Sequence, residues 1–309
     1  MAARAVVFAY HDVGVRCLSV LLAHDIEVAL VVTHRDDPRE NIWFSSVERL
    51  ARDHGIAVAT PADPAEVSGR VASAAPDFLF SVDYRHMISA PMLAAARRGA
   101  YNMHGSLLPS YRGRVPVNWA ILRGERETGA TLHEMVEKPD AGRIVDQMAV
   151  PILPDDTALD VFRKVTVAAE LVLDRALPGL IDGTARLASQ DLAKGSYFGA
   201  RKPEDGRIDW TQSAREIHDL VRAVAPPYPG AFADVGAMRL RLLRTRRLGE
   251  RLPPGPPSLA VDSAGRLVAR CADGETLHLI ECHLDGKPLR ADNLRERLGD
   301  SPVALGETS

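Results

Sequence analysis

Asn102 and His104 stand two residues apart in the short run Ala100-Tyr101-Asn102-Met103-His104. The run reads as a strand, and a spacing of two on a strand turns both side chains to one face. An imidazole titrates near neutral pH, so His104 can take a proton from an attacking amine and return it to a leaving nitrogen. The Asn102 amide can donate to the oxyanion that forms between those two events. Asp140 lies further along the chain. Its carboxylate can fix one imidazole tautomer and favour the protonated ring, which raises the ring's pKa. Between them, the loop Gly105–Gly113 brings glycines and backbone amides close, so a flat ligand can approach. These residue types fit acyl transfer to an amine.

Each residue also has an ordinary reading. His-Gly after a strand is a turn, and an acid before Ala-Gly is a turn residue. Arg112 and Arg114 are solvated loop charges, or a clamp for a carboxylate or phosphate. A zinc set of His104, His133 and Asp140 has no HExxH or cysteine cluster behind it. No GxSxG marks a serine hydrolase.

The flanking sequence must position this stretch. Residues 4–10 (RAVVFAY) read as a buried strand and HDVG as its turn. A helix is expected from Gly14 to Ala23 and a second buried strand from Ile26 to Thr33. Such a strand–helix–strand unit implies a right-handed crossover and a parallel sheet. Helix is expected over 45–54, 64–74 and 91–98, and strand over 56–60 and 77–82. After the loop that follows His104, a second extended segment is expected to end in Asp140. Gly142 to Pro151 reads as a further strand and Ala158 to Asp182 as a long helix. The first turn lacks GxGxxG, so NAD binding is not supported. Ligands of open α/β sheets bind at the C-terminal strand ends. That rule places HDVG, Arg85–Ile88 and Asn102–His104 on one rim.

The character changes near residue 200. SYFGARKPEDGRIDW reads as a polar connector, and Ser213–Ala225 as a helix opened by the capping box Ser213-x-x-Glu216. Short β-like runs follow, separated by Gly, Pro or Asp, and suggest a small antiparallel barrel of oligonucleotide/oligosaccharide-binding (OB) type. The expected division is 1–203 for a doubly wound, Rossmann-like α/β domain with a mostly parallel sheet, and 204–309 for the OB-like β-barrel. The tail after about Arg290 reads as charged and frayed.

Composition bounds the function classes. With 46 % hydrophobic and 26 % charged residues, the chain has the make-up of a soluble globular protein. A formal net charge of -3 gives no global attraction to nucleic acid or anionic membrane. Three scattered cysteines argue against a disulfide framework and for a cytoplasmic location. No apolar stretch has the roughly 20 residues of a spanning helix, so no membrane insertion is expected.

The run Asn102-x-His104-Gly105-Ser106-Leu107-Leu108-Pro109-x-Tyr111-Arg112-Gly113, with Asp140-Ala141-Gly142 downstream, resembles the signature of the 10-formyltetrahydrofolate-dependent formyltransferases. FAYHDVG at 8–14, YRHMI at 84–88, residues 104–133 and RAVAPPYPGAFADVG at 222–236 carry a narrower resemblance. It is to the formyltransferase half of the bifunctional polymyxin-resistance protein, which N-formylates UDP-4-amino-4-deoxy-L-arabinose. The resemblance implies that His104 transfers protons, that Asn102 stabilises the transition state and that Asp140 raises the pKa of His104. It implies that His86, Met87, Ile88, Arg114, Val136, Glu137, Lys138, Pro139 and Asp140 contact 10-formyltetrahydrofolate. The cosubstrate is then the folate and the acceptor a UDP-amino-sugar, with no metal and no nucleic acid. The bifunctional relative continues into an NAD-dependent decarboxylase half; this sequence has no room for one, so a stand-alone formyltransferase is expected. Asp83, before YRHMI, reads as a solvated rim residue.

Other acceptors keep the chemistry: another amino-sugar nucleotide, or methionyl-tRNA, for which RLRLLRTRRLGER at 239–251 is the supporting feature. A formyl-folate hydrolase and a non-catalytic nucleotide-sugar binding module are the readings from other classes. Sequence does not identify the residues that grip the uridine and pyrophosphate, or the oligomeric state.

Overall fold

The computed structural model describes residues 2–38, 41–253, 255–300 and 302–306. In chain order, the first elements are β1 (Arg4–Ala9), α1 (His11–Ala23), β2 (Glu27–Val32), α2 (Val47–Asp53), β3 (Val58–Ala59), α3 (Ser68–Ala74), β4 (Phe78–Val82), α4 (Ala90–Leu93) and β5 (Gly99–His104). Then come β6 (Arg112–Gly113), α5 (Pro116–Leu122), β7 (Glu127–Glu134), β8 (Ile144–Pro151), α6 (Ala158–Asp182) and β9 (Tyr197–Phe198). Seven of these strands form one sheet in the order β3-β2-β1-β4-β5-β7-β8. The ladders from β3 to β5 are parallel, while β7 pairs antiparallel with both β5 and β8.

This is the doubly wound, mostly parallel α/β architecture the apolar runs predict. Strands covered on both faces have no polar side, which is why FLFSV in β4 is buried throughout. Val6, Phe8, Leu30, Val32 and Leu79 form one core cluster with Val71 of α3. Register places Ala9 beside Val82 and Val82 beside Met103. The residues that leave β1, β4 and β5 therefore share one edge of the sheet, as the strand-end rule requires.

Four local expectations change. HDVG is not a turn: α1 starts at His11, whose backbone is left-handed with φ 66. The helix expected over 91–98 stops at Leu93, because the Arg97 and Arg98 amides bond back to the Pro76 and Asp77 carbonyls and lead into β5. The segment before Asp140 is not continuously extended. It holds α5, and β7 ends at Glu134. The tail after Arg290 is built into the fold, as shown next.

The second region contains α7 (Ala214–Ala223), β10 (Ala231–Val235), β11 (Met238–Arg251), β12 (Ser258–Val261), β13 (Leu267–Arg270), β14 (Glu275–Leu284), β15 (Lys287–Pro288), α8 (Leu294–Leu298) and β16 (Val303–Ala304). Its sheet runs β10-β11-β14-β13-β12-β16 with antiparallel ladders, a curled half-barrel. The tail supplies α8 and the edge strand β16, so it does not fray at Arg290. Ser213 and Glu216 close the capping box at the start of α7. That helix buries Ile217 and Val221 against Leu240, Leu242 and Leu277.

The chain folds into two compact units. One comprises Met1–Pro116, Glu127–Pro151 and Phe162–Gly199; the other comprises Val117–Arg126, Ile152–Val161 and Ala200–Ser309. Among the described residues, no helix is long and apolar enough to cross a membrane.

Candidate active site

β5 and β7 fix the first pair of side chains. Asn102 faces His133 across the antiparallel ladder, and Asn102 Nδ2 lies 3.2 Å from His133 Nε2. His133 Nδ1 donates to the Glu134 carbonyl at 2.7 Å, the one role a carbonyl leaves it. In the neutral ring Nε2 is then the acceptor for an Asn102 N–H. Among the described residues the second Asn102 N–H has no protein partner.

His104 ends β5 and is buried. Its Nε2 donates to the Tyr111 carbonyl at 2.8 Å, and its Nδ1 lies 3.7 Å from Asp140 Oδ1. With the proton on Nε2, Nδ1 carries the lone pair, so a proton gained by the ring arrives beside the carboxylate. Burial pulls the His104 pKa below its ordinary value; Asp140 and the Tyr111 carbonyl oppose that pull without overcoming it. Asp140 taken alone raises the ring's pKa, but the net direction is downward. The His104 ring is therefore neutral at pH 7.

Asp140 behaves in the opposite way. Burial pushes its carboxyl up, but His104, His133 and the Gly113 N–H outweigh burial and hold it at about 2. Its Oδ2 accepts from Gly113 N at 2.8 Å, and Oδ1 lies 3.5 Å from His133 Nε2. The Asp140 backbone is left-handed, φ 53, a conformation Asp adopts more readily than most residues. Gly142 follows because a Cβ there would sit 2.0 Å from the Glu134 carbonyl oxygen.

The Ser106–Gly113 loop is tied at both ends. Thr131 donates to the Ser106 carbonyl at 2.6 Å, and Gln147 donates to the Leu108 carbonyl at 2.8 Å. Tyr111 N donates to Ser196 Oγ at 2.8 Å, Arg112 N to the Ser196 carbonyl at 3.0 Å and Arg114 N to the Phe198 carbonyl at 3.0 Å. β6 and β9 thus form a two-stranded parallel sheet, with Tyr111 stacked on Phe198 at 5.2 Å. Gly113 allows this approach; a Cβ there would lie 2.1 Å from the Phe198 oxygen. The start of the expected connector is therefore a strap across the loop.

The structure brings Asn102, His104 and Asp140 together, with His133 among them. In sequence His133 reads only as a weak zinc ligand; its position one residue before the end of β7, opposite Asn102, is the signal that register supplies. Among the described residues no group of three His, Cys, Asp or Glu side chains is placed to hold a metal. Asp83, His86 and Met87 are exposed on the rim beyond β4. Ile88 is buried in a core cluster with Met92. Arg114, Glu137 and Lys138 are exposed, Val136 is largely exposed and Pro139 half-buried. The same rim carries an aromatic group that sequence does not disclose. His34 stacks on Tyr84 at 4.3 Å and lies 5.1 Å from His86, and His11 sits among Phe44, Trp43 and Phe162.

A mostly parallel α/β unit thus brings Asn, His and Asp side chains together beside a glycine-dependent loop. The family model described as formyl transferase matches residues 15–177, and that described as formyl transferase, C-terminal domain, matches residues 201–297. The chain belongs to the formyl transferase family and is an enzyme.

Its fold is similar to that of an N-formyltransferase from Helicobacter canadensis solved with folinic acid and dTDP-3-aminofucose. The TM-score is 0.70 at 20 % identity, over 90 % of this chain and 99 % of that one. WlaRD, a sugar 3N-formyltransferase solved in the presence of dTDP and 5-N-formyl-THF, gives 0.68 at 20 % identity, over 90 % and 97 %. A 4-N formyltransferase from Francisella tularensis gives 0.60 at 19 % identity, over 74 % and 91 %.

Proposed function

We propose that this protein is a sugar N-formyltransferase that moves the formyl group of 10-formyltetrahydrofolate to the 4-amine of UDP-4-amino-4-deoxy-L-arabinose. The observation that carries formyl transfer is the convergence of Asn102, a neutral His104 and an ionised Asp140. The folate supplies the formyl carbon as electrophile. The spare Asn102 N–H donates to the oxygen as it gains charge. His104 takes the amine proton at Nδ1, the imidazolium is held by Asp140, and the proton passes on to the leaving nitrogen. The new C–N bond thereby replaces the old one with no net change in protons. His86, Met87, Arg114 and Val136–Pro139 are the proposed folate contacts. Ile88 belongs to the same proposed set.

The acceptor's identity rests on the sequence resemblance alone; structural neighbours solved with dTDP-3-aminofucose or dTDP support only the broader class of nucleotide-linked amino sugar. It would place the enzyme in lipid A modification and polymyxin resistance. The methionyl-tRNA reading loses its main support. Arg239, Arg246 and Arg247 are paired with Asp234, Asp155 and Glu275, so much of the basic stretch on β11 is neutralised.

Purified protein with formyl-folate and UDP-4-amino-4-deoxy-L-arabinose should yield the N-formyl sugar nucleotide. No product on that sugar alongside turnover of a dTDP- or UDP-linked 3-amino sugar would overturn the acceptor. Release of formate without any amine would point to the hydrolase instead.

A further inference from the structure

Asp140 is held in a left-handed backbone conformation, and Gly113 N is the partner its carboxylate bonds directly. What fixes the turn itself comes from far along the chain. Gln190 Nε2 donates to the Asp140 carbonyl at 3.1 Å and to the Gly142 carbonyl at 2.5 Å. A primary amide has two N–H donors, and here both go to carbonyls two residues apart. The neighbouring bridge pairs Ile144 with Ala188 through two backbone hydrogen bonds of 2.8 Å. On its other side the turn is pressed against β7, where the Glu134 carbonyl leaves no room for a Cβ on Gly142. Among the described residues, the buried Gln190 Oε1 has no hydrogen-bond partner. An unpartnered buried amide oxygen is a standing cost, so the position is not explained by the side chain's own satisfaction.

We propose that Gln190 is a positioning residue of the formyl-transfer site, which clamps the Asp140–Gly142 turn so that the Asp140 carboxylate stays beside His104. The proposal rests on the reading of Asp140 as the partner of the His104 imidazole. The titratable groups facing His104 are Asp140 and His133. Loss of the clamp lets the carboxylate move away while His133 remains fixed by Glu134. Displacements of about 1 Å in such a site cost up to roughly a hundredfold in rate. The negative charge beside Nδ1 is also what resists the downward pull of burial on His104, so its retreat makes His104 titrate at lower pH. A purely structural role would lower the melting temperature without moving that titration.

The test is a cycle of Gln190→Met, Asp140→Asn and the double variant. Each is assayed for formyl transfer, and His104 is titrated by NMR in the substrate-free protein. The expected result for Gln190→Met is a kcat lower by roughly tenfold or more with KM little changed, and a His104 titration moved to lower pH. The double variant should lose no more than Asp140→Asn alone. Wild-type kcat and titration in Gln190→Met, or a loss that multiplies in full with that of Asp140→Asn, overturns the proposal. An Asp140→Asn variant with unchanged rate and titration sinks the reading of Asp140, and the proposal with it. The NMR arm needs no acceptor, so it decides the role of Gln190 even where the sugar assignment fails. Should Gln190→Met not fold, Gln190→Asn withdraws the amide by one methylene and is read in the same two assays.

Discussion

At the residue scale, the site separates two protonation behaviours with one burial gradient. Burial alone would neutralise both His104 and Asp140; the Gly113 N–H and the two imidazoles reverse it for the acid only. The imidazole is thus free of its extra proton while the carboxylate beside it is charged at neutral pH. The acid limb of kcat/KM should accordingly lie below the ordinary imidazole value of 6.5, and Asp140→Asn should move it lower still. A pH–rate profile with its acid limb above that value would contradict the assignment of His104 as base. Asn102→Ala should lower kcat by roughly 100- to 1000-fold, the usual consequence of losing an oxyanion donor, and a rate within tenfold of wild type would remove that role. His11 offers a test of stability rather than rate. Burial holds it at about 4 against an ordinary 6.5. As pH falls through 6.5 the unfolded chain binds this proton first, so stability drops down to about pH 4 and then levels. The loss is on the order of 3 kcal/mol. His11→Asn tolerates the left-handed backbone and does not titrate. Urea unfolding at neutral and acid pH should show wild type losing that increment and the variant keeping it.

At the element scale, two short pieces matter more than their size suggests. β6 and β9 are two residues each, yet they set the Tyr111 carbonyl that accepts the hydrogen bond from His104 Nε2. Gly113→Ala would place a methyl 2.1 Å from the Phe198 oxygen, with φ +99 adding strain. The ladder cannot close around it. Expected are a fall in kcat of roughly a hundredfold and faster amide exchange at Arg112 and Arg114. Gly183→Ala is the control: its φ is +74 but nothing lies within 4 Å, so the cost is near ~1 kcal/mol and the rate is unchanged. These short elements also mark where sequence stops being informative. Continuous apolar runs such as VVF and FLF carry their own burial signal, and α6 is legible end to end from its spacing. Asn102, His104 and Asp140 are legible as candidates because the proposed chemistry would be carried by their side chains. β9 is not, since two residues have no periodicity and their partner lies far back in the chain. α5 hides in VNWAIL, an apolar run that reads equally as strand. Gln190 acts through backbone carbonyls, which leave no trace in residue type.

At the scale of the whole molecule, the chain does not divide by a single cut in its spatial grouping. The sequence proposes a boundary between residues 203 and 204. The compact unit that holds the half-barrel also includes 117–126 and 152–161. Three buried polar groups of α7 show why those insertions are needed. His218 Nε2 donates to the Pro154 carbonyl at 3.0 Å, and Arg222 donates to the Asp156 carbonyl at 3.2 Å while paired with Asp219. The Ala223 carbonyl accepts from Asn118 at 2.8 Å. A fragment starting at 204 keeps α7, with Arg222 still paired to Asp219, but loses the Pro154 and Asp156 carbonyls and the Asn118 amide. Each buried donor or acceptor left unpaired costs about 1–3 kcal/mol, and three such losses approach the whole stability of a small domain, roughly 5–15 kcal/mol. The fragment 204–309 should therefore show poor amide dispersion and a broad, non-cooperative urea transition. Restoring the partners of His218, Arg222 and Ala223 is possible only in the full chain, where the same α7 amides should exchange slowly. A fragment with a sharp transition and native-like α7 protection would show that the half-barrel stands alone. The two inserted stretches would then be passengers of its fold rather than part of it.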